Sequence, residues 1–161
     1  MNDKLEFLVR AVVIGAGATF VMDVWAALLR RLGVPSLNFA FLGRWLGHLR
    51  DGQLIHQSIA KAAPVRGELA LGWAAHYSIG IGFAALLLAT FGLQWAREPS
   101  LWPALLIGVV TVAAPLLVLQ PALGAGIAST KTPAPVLNSL KSLATHTVFG
   151  FGLFLSAWVT R

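Results

Sequence analysis

Four stretches of this chain stay apolar for longer than a soluble helix requires. At about residues 7–29, 70–91, 101–127 and 137–159 charged side chains are sparse. Each stretch exceeds the roughly 20 helical residues that cross the hydrocarbon of a bilayer. A shorter element of different character lies between the first two. Asn38 is placed to cap a helix, and Phe41, Leu42, Trp45, Leu46 and Leu49 then share one apolar stripe, with Gly43, Arg44, Gly47 and His48 over much of the other face. The spacing predicts an amphipathic helix along the membrane interface with its stripe in the acyl region. The plainer alternative is a cytosolic helix folded onto the bundle. The following GQLIHQSIAKAAPVRGE reads as a turn, a brief helix around Ile55 to Ala63 and an exit loop at Pro64. The expected fold is all-α: a polytopic transmembrane four-helix bundle, one integral membrane domain over residues 1–161, with a short amphipathic helix in its first cytoplasmic loop.

Small and ring-locked residues interrupt this pattern. Pro115 and Pro121 each remove an amide donor from the third span and crowd the preceding turn, so the helix is expected to kink there. HYSIGIGF at 76–83 and HTVFGFGL at 146–153 each place glycines four and six residues after a histidine. Gly80, Gly82, Gly150 and Gly152 are read as sites of close helix packing, with ligand room as the alternative. Gly15, Gly17, Thr19, Gly124 and Gly126 offer the same opportunity in the first and third spans. Duplication of a two-helix hairpin would explain the two similar segments, but the intervening loops differ greatly, and convergence on a packing pattern is simpler.

Composition narrows the class. Only 11% of residues are charged, whereas 57% are hydrophobic; an ordinary soluble domain carries about 25% charge. The net charge of +6 therefore does not indicate a nucleic-acid partner, because there is little soluble surface to gather it on. No cysteine is present, which excludes disulfides and thiolate metal sites. Arg30, Arg31, Arg44, Arg50, Lys61 and Arg66 lie between the first two spans and Lys131 and Lys141 follow the third, together eight of the twelve basic residues. Cytoplasmic loops hold the Lys and Arg excess. The expectation is a bacterial inner-membrane protein with both termini periplasmic and the 30–69 loop cytoplasmic. Arg10, Asp23, Arg30 and Arg31 make the first window a retained helix rather than a signal peptide.

Candidate chemistry sits at depth. At about 1.5 Å of rise per residue, His76 lies roughly 9 Å and His146 roughly 12 Å from the cytoplasmic ends of their helices, with Asp23 at about 9 Å and Gln120 at about 10 Å. One polar side chain per span at similar depth suggests a shared polar site of Asp23, His76, Gln120 and His146, since such groups face the bundle interior. Arg10 is too far along its helix to pair with Asp23 and is expected to snorkel to the outer headgroups. Asp23 with His76 or His146 would serve proton transfer or act as structural glue. Two histidines and a carboxylate could also hold zinc or iron. No spacing specifies a metal, a haem or any other cofactor, so cofactors stay unassigned. His48 and His56 read as surface or interfacial residues.

GRWLGH at 43–48, IHQSIAKAAPVRGE at 55–68, GWAAHY at 72–77 and LQPALGAG at 119–126 together resemble the bacterial membrane family catalogued as domain of unknown function 2938. The resemblance covers essentially the whole chain and implies a single-domain, four-helix inner-membrane protein. It brings no reaction, substrate or catalytic residue. Three function classes stay open: an accessory or structural membrane protein; a small transporter or proton-coupled component using Asp23, His76, Gln120 and His146; and a metal-dependent membrane enzyme. The last has no HExxH or nucleophile constellation behind it, so the reading leans away from an enzyme. Expected partners are membrane lipids, with either a second copy or another membrane protein, and no nucleic acid.

Overall fold

The computed structural model describes residues Asn2–Arg161. The protein is all-α, with no strand among the described residues. Helix α1 spans Asp3–Arg31, α2 Phe39–Leu49 and α3 Glu68–Arg97. The third span covers Leu101–Leu123 and contains α4 (Leu101–Val110) and α5 (Gln120–Leu123). Helix α6 spans Pro135–Val159. Four helical stretches of 29, 30, 23 and 25 residues are thus apolar and long enough to cross a bilayer.

Local signals set the ends. The Asn2 side chain accepts a hydrogen bond from the Leu5 amide at 2.8 Å, with Asp3 and Glu6 in the first turn and Arg30 and Arg31 in the last. These charges oppose the helix dipole at both termini. Gly33, at φ +79°, turns the chain out of α1. Asn38 caps α2 by accepting from the Ala40 amide at 3.0 Å. Helix α3 breaks at Gly92 (φ 78°, ψ 168°), so its last turn is redirected.

The third span departs from regular geometry. Between α4 and α5, residues Ala114–Leu119 form a widened turn in which the Gln120 amide donates back to the Pro115 carbonyl, five residues earlier. Pro115 and Pro121 have no amide to give, and widening lets the remaining donors find carbonyls inside the helix. The helix stops at Leu123, before the residue-127 limit read from the apolar run, because Gly124 takes a left-handed conformation at φ +98°. Hydropathy cannot see that stop, since the residues on both sides of it are apolar.

The chain forms two compact units. The first comprises the described residues of Met1–Pro35 with Tyr77–Thr111 and Ala144–Arg161. Its core is built from Ile14, Leu87, Leu88, Phe149 and Leu153, separated by fully or nearly buried alanines at 11, 18, 84, 96, 104 and 157. Small residues bring these helices close. A methyl group on Gly150 would stand 2.8 Å from the Ala104 carbonyl oxygen, and one on Gly152 would stand 2.9 Å from the Ala18 Cα. Gly80 lies against the Thr19 hydroxyl, whereas Gly82 faces open space. At one end of this unit, Arg10 is bound by groups of the protein itself. Its Nε donates to Glu6 at 2.8 Å and its Nη1 to the carbonyls of Ala96 and Thr160 at 3.2 and 3.4 Å. Arg97 binds the same carboxylate at 2.6 Å. Helix ends release carbonyls without a helical partner, and an arginine close to two of them can donate to both.

The second unit comprises Ser36–His76 and Val112–Leu143. Here α2 meets the first turns of α3 backbone to backbone, since Gly43 lies against the Glu68 carbonyl and Gly72 against the Phe39 carbonyl. The face of α2 that carries Gly43, Arg44, Gly47 and His48 therefore turns inward. Phe41, Trp45, Leu46 and Leu49 remain half-buried, while Leu42 is covered. The brief helix expected around Ile55–Ala63 shrinks to one turn at Ile59–Lys61. The carbonyls of Ile59 and Ala62 instead accept from Arg44, and the His56 amide bonds to Ala122.

Lipid is the solvent that this surface suits. Only 22–33% of the apolar window in each long helix is buried within the protein. Large apolar side chains point outward along the spans, including Leu8, Phe20, Val110 and Phe151. Water would make such a surface an aggregation patch, whereas acyl chains solvate it. The protein is an integral, multi-pass membrane protein.

Candidate functional site

Two of the four polar residues expected at depth belong to the first unit. The Tyr77 hydroxyl donates to the Asp23 carboxylate at 3.0 Å. A hydroxyl donor is the sort of partner that a half-buried carboxyl group within a span requires. Thr111 donates its hydroxyl proton to the Gly108 carbonyl at 2.8 Å and stands 3.1 Å from His146 Nδ1. A hydroxyl has one proton, so Nδ1–H of His146 is the donor across that second contact. The ring also lies in edge or tilted contact with Phe83 and Phe149.

The other two belong to the second unit. Gln120 Oε1 accepts from the Ser129 hydroxyl at 2.9 Å, and its Nε2 reaches Ser142 at 3.3 Å. Ser129 is buried and left-handed (φ +62°), and the half-buried Ala128 before it is left-handed too (φ +48°). Two successive non-glycine residues in that region are strained. Gln120, with the Ser139 hydroxyl on the Ala128 carbonyl at 3.0 Å, holds them there. His76 instead packs among rings, 4.3 Å from Phe39 and 5.9 Å from Trp73 between centroids. The similar HxxxGxG segments thus place their histidines in unlike surroundings: hydroxyl and phenylalanine for His146, a tilted phenylalanine and an edge-on tryptophan for His76. Among the described residues, no three His, Asp or Glu side chains converge where they could hold a metal ion.

A second constellation was not expected from sequence. His56, read as a surface residue, is only 4% exposed. Its Nδ1 faces the Ala122 carbonyl at 3.3 Å and its Nε2 faces His48 Nδ1 at 2.8 Å. A carbonyl only accepts, so His56 donates from Nδ1, and His48 donates its Nδ1–H to His56 Nε2. Beside this pair, Arg44 forms a fork on Glu68 through Nε and Nη2 at 2.8 and 2.7 Å, while Nη1 donates to the Ile59 and Ala62 carbonyls at 3.0 and 3.1 Å. Glu68 also accepts from the Val65 amide at 2.9 Å. The hydrogen bond to the Glu68 carboxylate raises Arg44 above its ordinary basicity, so this cation persists across any physiological pH.

The family model described as "Protein of unknown function (DUF2938)" matches residues 12–160. The chain belongs to the DUF2938 family. No curated protein and no solved structure matches it. In this DUF2938 chain, the stretches that carried the resemblance converge on the second unit, Tyr77 excepted. GRWLGH supplies Gly43, Arg44 and His48; IHQSIAKAAPVRGE supplies His56, the two carbonyls under Arg44, and Glu68. GWAAHY supplies Gly72, Trp73 and His76. LQPALGAG supplies Gln120, the Ala122 carbonyl and Gly124, which lies against the Gln57 carbonyl. A signal for this constellation existed in sequence, in that arginine, histidines, glutamate and glycines all cluster in one loop-rich region. Their pairing was not legible, because Arg44 and Glu68 lie twenty-four positions apart and neither carries a motif that names the other.

Proposed function

We propose that this DUF2938 protein is an accessory or structural component of the bacterial inner membrane, its buried polar side chains specifying how helices pack. One observation carries this reading: the polar groups expected at depth are engaged by side chains of their own unit. Tyr77 serves Asp23, Thr111 serves His146, and Ser129 and Ser142 serve Gln120. Such pairs favour one helix arrangement over others, because any misregistered alternative strands a donor or acceptor. The distribution of Lys and Arg supports termini in the periplasm and the 30–69 loop in the cytoplasm.

A second reading, a proton-coupled component, draws on the Asp23–Tyr77 pair alone, because an ionisable group within a span is a functional candidate by default. Asp23→Asn separates the two. The amide keeps an acceptor for Tyr77 but cannot exchange a proton. On the accessory reading, vesicles containing the variant show unchanged proton leak, while Asp23→Leu lowers the melting temperature in detergent. A loss of proton flux in Asp23→Asn with unchanged stability would transfer the assignment to the second reading.

A further inference from the structure

The loop after α2 carries an apolar surface that none of the described residues covers. Leu54 and Ile55 are 63% and 70% exposed. Yet the backbone beneath them is held on both sides. The Gln53 amide donates to the His48 carbonyl at 3.1 Å, the Trp45 indole donates to the Leu54 carbonyl at 2.9 Å, and the His56 amide donates to the Ala122 carbonyl at 2.9 Å. A mobile tip would turn its aliphatic side chains away from water; this one is fixed with them outward.

The same bonds fix the height of the loop. Ala122 is the penultimate residue of the third span, and Glu68, clamped by Arg44, is the first residue of α3. Ile55 is therefore one residue from a direct bond to the end of one span, in a loop pinned to the start of another. That level is the boundary between acyl chains and headgroups. The half-buried stripe of Trp45, Leu46 and Leu49 adjoins it through the Trp45–Leu54 bond.

Charge complements the apolar pair. From residue 50 to residue 66, Arg50, Lys61 and Arg66 face solvent against one carboxylate, Asp51, which stands 3.7 Å from Arg50. Glu68 is already committed to Arg44. Excess cations beside outward aliphatic side chains at headgroup level match an anionic leaflet, where phosphates meet the cations and Leu54 and Ile55 enter the acyl boundary.

We infer that residues 50–66 form an interfacial anchor, Leu54 and Ile55 inserting into the leaflet while Arg50, Lys61 and Arg66 recognise anionic lipid headgroups. The anchor depends on the chain being membrane-integral and is independent of whether Asp23 handles protons. It orients the end of the third span, through His56 and Ala122, relative to the lipid surface.

The absence of native cysteine makes the test clean. Full-length Ile55→Cys carrying a fluorophore is reconstituted into phosphatidylcholine vesicles and into equimolar phosphatidylcholine and phosphatidylglycerol. Quenching by lipids brominated near the headgroup, together with protection from aqueous iodide, is expected in the anionic vesicles at several times the level in the zwitterionic ones. High salt, or the triple variant Arg50→Gln/Lys61→Gln/Arg66→Gln, should erase that difference. Free access of iodide in both vesicles overturns the proposal, as does equal lipid quenching in both. Protection that grows with the protein-to-lipid ratio also overturns it, because the occupant is then a second copy.

Discussion

Arg44 shows how much one side chain can organise when its hydrogen bonds are all directed. Its fork fits the Glu68 carboxylate, and its remaining nitrogen reaches two carbonyls of the loop at 59–62, that of Ile59, which also takes the Ala62 amide, and that of Ala62. A lysine at this position has the charge but not the planar geometry. Arg44→Ala should therefore lower the melting temperature in detergent by several degrees, and Arg44→Lys should recover only part of the loss. Equal melting of all three proteins would show that the clamp contributes nothing. From sequence, Arg44 is one more basic residue on the polar side of an amphipathic helix. Its burial, like that of His56, follows from partners brought in from distant positions.

At the scale of elements, small residues decide which helices touch. Gly72 of α3 lies so close to the Phe39 carbonyl of α2 that a methyl group there has no space, whereas nothing lies within contact distance of Gly82. Gly72→Ala must push the two helices apart, an overpacking cost of about 1–3 kcal/mol. Gly82→Ala should leave thermal stability in detergent nearly unchanged. A Gly72→Ala protein as stable as the parent would mean that α2 is not seated on α3. The amphipathic pattern located α2 correctly, and Asn38 marked its start. The pattern could not tell which face packs, since a stripe laid in the acyl region and one folded onto the bundle read alike, and hydropathy gives no weight to glycines that admit a neighbouring backbone. The same limit applies to the third span, whose apolar run continues beyond the Leu123 end dictated by Gly124.

For the whole molecule the decisive quantity is how little of each long helix the protein itself buries, which makes the bilayer part of the folded state. Orientation in that bilayer is then a matter of charge and is open to direct measurement. A membrane-impermeant maleimide should label Arg161→Cys in intact spheroplasts and Leu32→Cys, at a position 78% exposed, only after permeabilisation. The reverse pattern would invert the topology and put the 30–69 loop outside.

The number of spans, their approximate limits, the amphipathic helix and the membrane as solvent were all legible along the chain. Each depends on runs of apolar residues long enough to be read locally, and transfer from water to lipid is nearly additive over such a run. Only the tertiary structure decided that Tyr77 serves Asp23, that His48 serves His56, that Arg44 closes on Glu68, and that α2 turns its glycines inward. Those are choices among partners distant in sequence, made by directional hydrogen bonds and close backbone contact, and neither is encoded in the hydropathy of any one segment.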